Sequence, residues 1–131
     1  MKKNVLFVCI ENSCRSQMAE GFAKKWGAHV LNAYSSGSKP SGVVNPRAIQ
    51  FMKEKEIDLS VHNSKGLQEF SNTPWDYVIT MGCGDACPFV PSRLKEDWGI
   101  SDPKHLPDDG FREIRDQIEK KVLALIEDAS R

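Results

Sequence analysis

The fold is decided by the stretch Val8-Cys9-Ile10-Glu11-Asn12-Ser13-Cys14-Arg15-Ser16, residues 8–16. An apolar run, residues 5–8, leads into this stretch, and a segment with helical spacing of apolar residues, 17–26, follows it. The stretch is therefore predicted to turn from a buried strand into a helix. The backbone N–H groups of such a turn and of the helix N-terminus point at one spot, where they can bind an oxyanion.

Within this predicted turn, Cys9 and Arg15 are separated by five residues, and Ser16 follows the arginine. A guanidinium group binds a tetrahedral oxyanion through two parallel hydrogen bonds. A cysteine at the base of the turn has its thiolate stabilised by the same dipoles and can attack the bound group. A cysteine at a strand end is more often a small core residue, but this full pattern is rare by chance. We therefore interpret Cys9 as a nucleophile.

Composition limits the class of protein. The 131 residues suit one catalytic domain, 1–131, and 18 basic residues balance 18 acidic ones. This balance leaves no excess positive charge for nucleic acid or for a membrane surface. The first apolar run is too short for a signal peptide or a membrane span. We expect a cytoplasmic protein in which four cysteines indicate metal binding or redox chemistry more than a disulfide framework.

Strands and helices are predicted to alternate along the chain, which indicates a parallel sheet with helices on both faces. The predicted strands span 3–9, 29–34 and 75–81, with a short strand near 96–99 inside a long irregular segment, 82–110. The predicted helices span 16–27, 45–56 with Asn45 as cap and Pro46 at the first position, and the C-terminal segment from a cap at Asp108 or Asp109. A further short helix is predicted within 64–70. Ligands of such folds bind at the carboxyl ends of the strands, where Cys9 lies.

The whole pattern resembles a known family. Residues 9–15 match the signature loop of the low-molecular-weight protein tyrosine phosphatase superfamily, and the longer match over 12–21 looks like its arsenate reductase branch. The resemblance extends to 34–37, 78–81, 96–98, Asp102-Pro103 and the C-terminal helix. It implies an α/β fold, a three-layer αβα sandwich with a four-stranded parallel sheet. We expect the protein to act as a monomer.

A second pair of cysteines, Cys83 and Cys87, follows the third predicted strand. In a helical segment their Cα atoms would lie about 6 Å apart, within reach of a disulfide. Buried structural thiols and a metal site shared with Cys9, Cys14 or a histidine are the alternatives, although the spacing fits zinc pairs only in part. A reductase must supply two electrons, and thiols are the only redox groups visible in this sequence. We therefore favour a redox relay and predict no metal site.

The resemblance implies a mechanism for this relay. Arsenate, with phosphate or sulfate as mimics, would be held by Arg15 and by the backbone N–H groups of the oxyanion-binding residues Ile10, Glu11, Asn12, Ser13, Cys14 and Arg15. Cys9 would attack arsenic while Ser16 stabilises its thiolate and Asp102 donates a proton to the departing oxygen. Cys83 would then attack Cys9, and Cys87 would attack Cys83. The protein would hold no tightly bound cofactor, and an external thiol protein, most plausibly thioredoxin, would reduce the final disulfide.

Family members often bind potassium beside the loop, through residues that match Asn12, Glu20, Ser35 and an acidic residue near position 65. This chain has Lys65 at that place. A lysine ammonium is a fixed cation that could replace the ion. We therefore expect activity to respond little to potassium in place of sodium.

Two other functions compete with the reductase. The first is a low-molecular-weight phosphotyrosine phosphatase, which would use the same loop and the same Asp102. Against it, Lys104 and His105 follow Asp102-Pro103 where an aromatic residue is typical. The second is a non-enzymatic thiol switch or oxyanion sensor. Cys14, the fourth thiol, is interpreted as a packing residue of the loop, with a backup thiol for oxidised Cys9 as the alternative.

Overall fold

The structure, a computed structural model, describes residues 2–37, 39–62, 64, 66, 74–82 and 92–131. Four strands alternate with three helices along these residues. In chain order they are β1 (Lys3–Cys9), α1 (Arg15–Gly27), β2 (Leu31–Gly37), α2 (Pro46–Lys53), a 3₁₀ turn (Leu59–Val61), β3 (Trp75–Thr80), β4 (Ser92–Asp97) and α3 (Asp108–Ala129).

The four strands form one parallel sheet in the order β2-β1-β3-β4. The register aligns Cys9 with Gly37 and Val8 with both Ser36 and Thr80. The carboxyl ends of the strands therefore meet at one edge of the sheet, with the end of the central strand β1 flanked by the ends of β2 and β3. The predicted parallel α/β sheet is confirmed, and Cys9 lies in the middle of the edge where ligands of such sheets bind.

Both faces of the central strand β1 are buried. On one face, Val5 and Phe7 of β1 pack with Phe22 of α1 and Ile118 of α3, all fully buried. Because side chains alternate along a strand, Leu6 and Val8 point to the opposite face. There they form a second buried cluster with Trp75 and Val78. Because β1 is covered on both sides, it is apolar from Val5 to Cys9. The four-stranded parallel sheet of the predicted αβα fold is confirmed.

Several boundaries differ from the sequence-based ones. Strand β2 starts at Leu31 and runs to Gly37, because residues 35–37 pair with Phe7–Cys9 despite their polar side chains. Helix α2 ends at Lys53 instead of residue 56, and Glu56 then takes a positive φ of 61°. The predicted helix within 64–70 falls almost entirely outside the described residues.

The described part of the segment 82–110 contains all of β4. Strand β4 spans Ser92–Asp97, earlier than the predicted 96–99. This strand is charged and exposed at the sheet edge, so it has no alternation of apolar residues to reveal it. Helix α3 begins at Asp108 with Pro107, not an aspartate, as its cap. None of the helices in the described parts of the chain is both long enough and apolar enough to cross a membrane.

Candidate active site

The turn between β1 and α1, residues 10–14, forms the loop predicted to bind an oxyanion. Asn12 has a φ of 50°, in the left-handed region that asparagine tolerates better than most residues. The loop also lies directly against Gly37 at the end of β2. A Cβ atom there would stand 2.6 Å from the Ile10 carbonyl oxygen and 2.8 Å from the Asn12 nitrogen. Only glycine at position 37 therefore allows this loop to lie so close to the sheet.

Backbone hydrogen bonds hold the loop from outside. The carbonyl oxygens of Ile10, Glu11 and Ser13 accept from the N–H groups of residues 39, 41 and 45, at 2.8, 3.0 and 2.8 Å. The C=O and the N–H of one peptide unit point in opposite directions. The three N–H groups that share a peptide unit with these carbonyls therefore point away from the 39–45 segment. This arrangement makes the loop an anion-binding concavity at the start of α1.

Arg15, the first residue of α1, is anchored to the sheet edge through one of its two terminal nitrogens. Nη1 donates to the carbonyl oxygens of Met81 at 2.7 Å and Ile100 at 2.8 Å. Nη2 lies 3.9 Å from Oδ2 of Asp102. The side chain is only 9% exposed, so its position is fixed by the segments that follow β3 and β4 before any ligand binds.

The loop encloses a small cavity of about 70 Å³, and seven residues line it: Cys9, Ile10, Glu11, Ser13, Cys14, Arg15 and Asp102. One water occupies roughly 30 Å³ of liquid, so the cavity suits a single small oxyanion. The structure thus brings together the predicted nucleophile, the predicted arginine and the predicted general acid. Asp102 is 47% exposed on its side chain, which leaves it open to exchange protons with solvent.

A chain of hydrogen bonds leads from the Cys9 sulfur into α1. Cys9 Sγ and Ser16 Oγ are 2.9 Å apart, and Asn12 Nδ2 donates to Ser16 Oγ at 2.8 Å. Gln17 Nε2 donates to Asn12 Oδ1 at 3.0 Å, and His62 Nδ1 lies 3.0 Å from Gln17 Oε1. Since Ser16 accepts from Asn12, its own proton is available to the sulfur. The hydrogen bonds donated by Gln17 and Asn12 therefore run toward Ser16, whose hydroxyl lies next to the Cys9 sulfur.

Gln17 and His62 were not identified from the sequence. Gln17 is fully buried in the first turn of α1, and a buried amide requires partners. The sequence signal was a glutamine directly after the motif, on the side of the helix that faces the loop. His62 follows the 3₁₀ turn. It lies 45 positions from Gln17 in the sequence, so no local pattern predicts their contact.

Ser16→Ala is expected to slow alkylation of Cys9 by iodoacetamide at pH 7 about 10- to 100-fold, because a hydrogen bond to a charged group is worth roughly 1.5–3 kcal/mol. Peptide mass spectrometry assigns the label to Cys9 over time. Ser130→Ala, at the end of α3 and far from the loop, is the matched control and should leave the rate unchanged. An unchanged rate in Ser16→Ala would show that this hydroxyl does not stabilise the thiolate.

Cys14 lies at the N-terminus of α1 and is buried, at 4% exposure. Burial, with Asp102 and Cys9 as further contributors, raises the pKa of its thiol far above the ordinary range. Cys14 is therefore a neutral thiol at physiological pH, which fits a packing residue. Cys9 and Cys14 are both free in the structure.

Three of the four residues predicted for a cation site, Asn12, Glu20 and Ser35, lie in the described part of the chain. The Glu20 carboxylate, 3% exposed, accepts from Ser35 Oγ through Oε1, and Lys24 Nζ lies 2.5 Å from its Oε2. Asn12 Oδ1 already accepts from Gln17. Three of the oxygens expected to ligate potassium therefore already lie beside donors of the chain itself.

Three predicted site residues, Lys65, Cys83 and Cys87, lie outside the described residues. Within the residues that are described, no group of three or more His, Cys, Asp or Glu side chains could hold a metal ion. The roles of the two later cysteines therefore stay predictions from the sequence.

Comparisons with known proteins agree with this geometry. The family model for low molecular weight phosphotyrosine protein phosphatase matches residues 4–131. Arsenate reductase 2 of Staphylococcus saprophyticus is 43% identical over 129 residues, with 92% of this chain and 94% of the relative covered.

Solved structures give the same result. One described as an arsenate reductase in the phosphate binding state has a TM-score of 0.88 at 40% identity, covering 97% of this chain and 98% of that one. A thioredoxin-dependent arsenate reductase of Corynebacterium glutamicum has a TM-score of 0.81 at 29% identity, covering 98% of this chain and 62% of that one. The sequence and the fold of this chain are therefore similar to those of arsenate reductases over nearly its whole length.

Proposed function

The chain belongs to the low molecular weight phosphotyrosine protein phosphatase family, as its motifs predicted, and we propose that it is an arsenate reductase that converts arsenate to arsenite. The observation that carries this proposal is the cavity of about 70 Å³ that places Cys9, Arg15 and Asp102 around the space for one oxyanion. Its relatives that reduce arsenate support the choice of substrate. We further propose that residues 1–131 act as a single catalytic domain.

In the first step, Arg15 and the N–H groups of residues 10–15 hold arsenate above the sulfur. The Cys9 thiolate, stabilised by Ser16 at 2.9 Å, attacks arsenic and forms an As–S bond. One hydroxyl group of hydrogen arsenate leaves and takes a proton from Asp102, so that water departs. Phosphate fits the same cavity, and this step alone would equally serve a phosphatase.

In the second step, the thiolate of Cys83 attacks the Cys9 sulfur. The As–S bond breaks, and its electron pair stays on arsenic, which leaves as arsenite in the trivalent state. A Cys9–Cys83 disulfide forms, so two sulfurs have lost the two electrons that arsenic gained. Cys87 then attacks Cys83, releases Cys9 as a thiolate and leaves a Cys83–Cys87 disulfide.

The last disulfide must be reduced from outside, because the cycle has consumed two electrons of the chain. We propose thioredoxin, or a related thiol protein, as the reductant, by analogy with the thioredoxin-dependent relative. Such reductants maintain thiols in the cytoplasm, which is the location we propose. We propose that the enzyme acts as a monomer.

The direct test measures arsenate-dependent NADPH oxidation with thioredoxin and thioredoxin reductase, and in parallel with glutaredoxin and glutathione. Continuous oxidation that scales with enzyme and arsenate is expected with thioredoxin. A single stoichiometric burst without turnover under both conditions would instead support an oxyanion sensor. Turnover with glutaredoxin alone would keep the reductase and replace its reductant.

We also propose that lysine replaces potassium next to the loop. Lys24 already offsets the charge of Glu20, and Lys65 takes the place of the acidic ligand. At equal ionic strength, kcat/KM should differ less than twofold between potassium and sodium. The melting temperature should differ by less than about 2 °C. Lys65→Asp, which restores an acidic ligand, should acquire a potassium-dependent rise in melting temperature. A strong potassium requirement of the unmodified protein would contradict the proposal.

A further inference from the structure

An ion pair joins the two segments that face each other across the cavity. Lys104 Nζ lies 3.0 Å from Oε2 of Glu11. Glu11 belongs to the oxyanion loop, and Lys104 follows Asp102, whose side chain lines the cavity together with Glu11. The two side chains are 36% and 42% exposed, and such exposed pairs add little to folding stability. The position of the pair therefore points to a role in the site.

Glu11 is an unfavourable residue for an anion-binding loop. Glu11 lines a cavity whose N–H groups are directed at a negatively charged ligand, and like charges within about 10 Å are not fully screened at physiological salt. The residue cannot move away easily, because its carbonyl oxygen accepts from the N–H of Ser41 at 3.0 Å and from Ser64 Oγ at 2.9 Å. The negative charge must be offset where it stands.

Lys104 is held where it can offset this charge. Its backbone N–H donates to Asp102 Oδ1 at 3.1 Å, and its carbonyl oxygen accepts from Arg47 Nη1 at 3.3 Å. Arg47 is itself fixed, since its Nη2 lies 3.1 Å from Asp108 Oδ1 and its guanidinium stands 4.9 Å from the centre of the Phe111 ring. The hydrogen bond with Glu11 raises the pKa of the Lys104 ammonium, so the residue stays charged at neutral pH.

We propose that Lys104 is a positioning residue that neutralises Glu11 and thereby sets the affinity of the cavity for its oxyanion. The Lys104 ammonium acts on Glu11 and does not itself bind the substrate, which is held by Arg15 and the loop N–H groups. This inference rests on the proposed function only for the identity of the oxyanion. It can be tested by binding alone, without any reduction step.

The test is a double-mutant cycle on the affinity for inorganic phosphate, measured by isothermal titration calorimetry on the reduced protein at constant ionic strength. Lys104→Gln should raise the Kd about five- to tenfold, because Glu11 is left uncompensated. Glu11→Gln should lower the Kd a few fold, because the positive charge of Lys104 is then unpaired. The double variant Glu11→Gln/Lys104→Gln should return to within about twofold of the unmodified protein.

Three controls separate this role from others. Lys25→Gln removes an exposed lysine whose partner is Glu56, at 3.8 Å, and should leave the Kd unchanged. In arsenate turnover, Lys104→Gln should raise KM and leave kcat within about twofold, whereas a damaged loop would lower kcat. Lys104→Arg should restore the Kd.

The outcomes are distinct. A double variant that binds phosphate as weakly as Lys104→Gln would show that Lys104 contacts the oxyanion directly, and an unchanged Kd in Lys104→Gln would show that the pair is only a surface contact. Either result overturns the proposal. Absence of arsenate reduction in every variant, with the predicted order of phosphate affinities, would contradict the proposed function and leave this inference intact.

Discussion

Cys83→Ser is expected to abolish catalytic arsenate reduction while the variant continues to hydrolyse a small aryl phosphate such as para-nitrophenyl phosphate. The reason is that Cys9 and Cys83 act in different chemical steps. Formation of a bond between Cys9 and the oxyanion needs only the loop, Arg15 and Asp102, all of which remain. Breaking the As–S bond so that its electron pair stays on arsenic needs a second thiolate. Serine at pH 7 has neither the acidity nor the redox chemistry to replace that thiolate.

The magnitude expected is a loss of more than about 10³-fold in arsenite formed per enzyme, because an entire chemical step is removed rather than one hydrogen bond. Aryl phosphatase activity should stay within about threefold of the unmodified protein. Arsenite is measured by chromatography coupled to mass detection, and nitrophenol by absorbance.

Cys87→Ser provides the matched comparison, because it removes a sulfur that acts one step later. Without reductant it should release one arsenite per enzyme and stop as a Cys9–Cys83 disulfide, visible by peptide mass spectrometry. Cys83→Ser should release none under the same conditions. Sustained thioredoxin-driven arsenate reduction by Cys83→Ser would refute the relay and point to direct attack of the external thiol on the Cys9 adduct.

The oxyanion loop could be predicted from sequence because its chemistry is local. Cys9, Arg15 and Ser16 lie within eight positions, and the strand and the helix on either side are marked by strong apolar patterns. The parallel sheet followed from the alternation of these elements. Strand β4 was placed several residues late, because an exposed edge strand of mostly charged residues carries no pattern of burial.

The long-range contacts of the site could not be predicted in the same way. Arg15 bonds to carbonyl oxygens 66 and 85 positions away, and Glu11 meets Lys104 across 93 positions. A backbone carbonyl has no side-chain identity, so a sequence cannot mark it as a partner. Glu11 and Lys104 each look like an ordinary surface charge until the fold pairs them beside the cavity that Glu11 and Asp102 line.

Arg15→Lys is expected to lower kcat/KM about 10³-fold for both arsenate reduction and aryl phosphate hydrolysis, although the positive charge is kept. Arg15 uses Nη1 for the carbonyl oxygens of Met81 and Ile100, at 2.7 and 2.8 Å, and leaves its other N–H groups for the oxyanion. A lysine has one nitrogen and cannot serve both sets of acceptors. Loss of a single preorganised donor to a developing oxyanion already costs about 10²–10³-fold.

The same substitution should also destabilise the fold, since two buried carbonyl oxygens at the strand ends lose their donor, at about 1–3 kcal/mol in the free energy of unfolding. Urea denaturation at pH 7 measures this loss, and steady-state assays with each substrate measure the loss of activity. Arg112→Lys, whose guanidinium pairs with Glu54 at the surface, should change kcat/KM less than twofold. If Arg15→Lys kept kcat/KM within tenfold for both substrates, charge alone would hold the oxyanion, and the fork anchored between the ends of the strands would have no role in catalysis. The expected equal loss for both substrates would place Arg15 in the step that arsenate reduction and phosphate hydrolysis share. The two reactions differ only after that step, when Cys83 attacks.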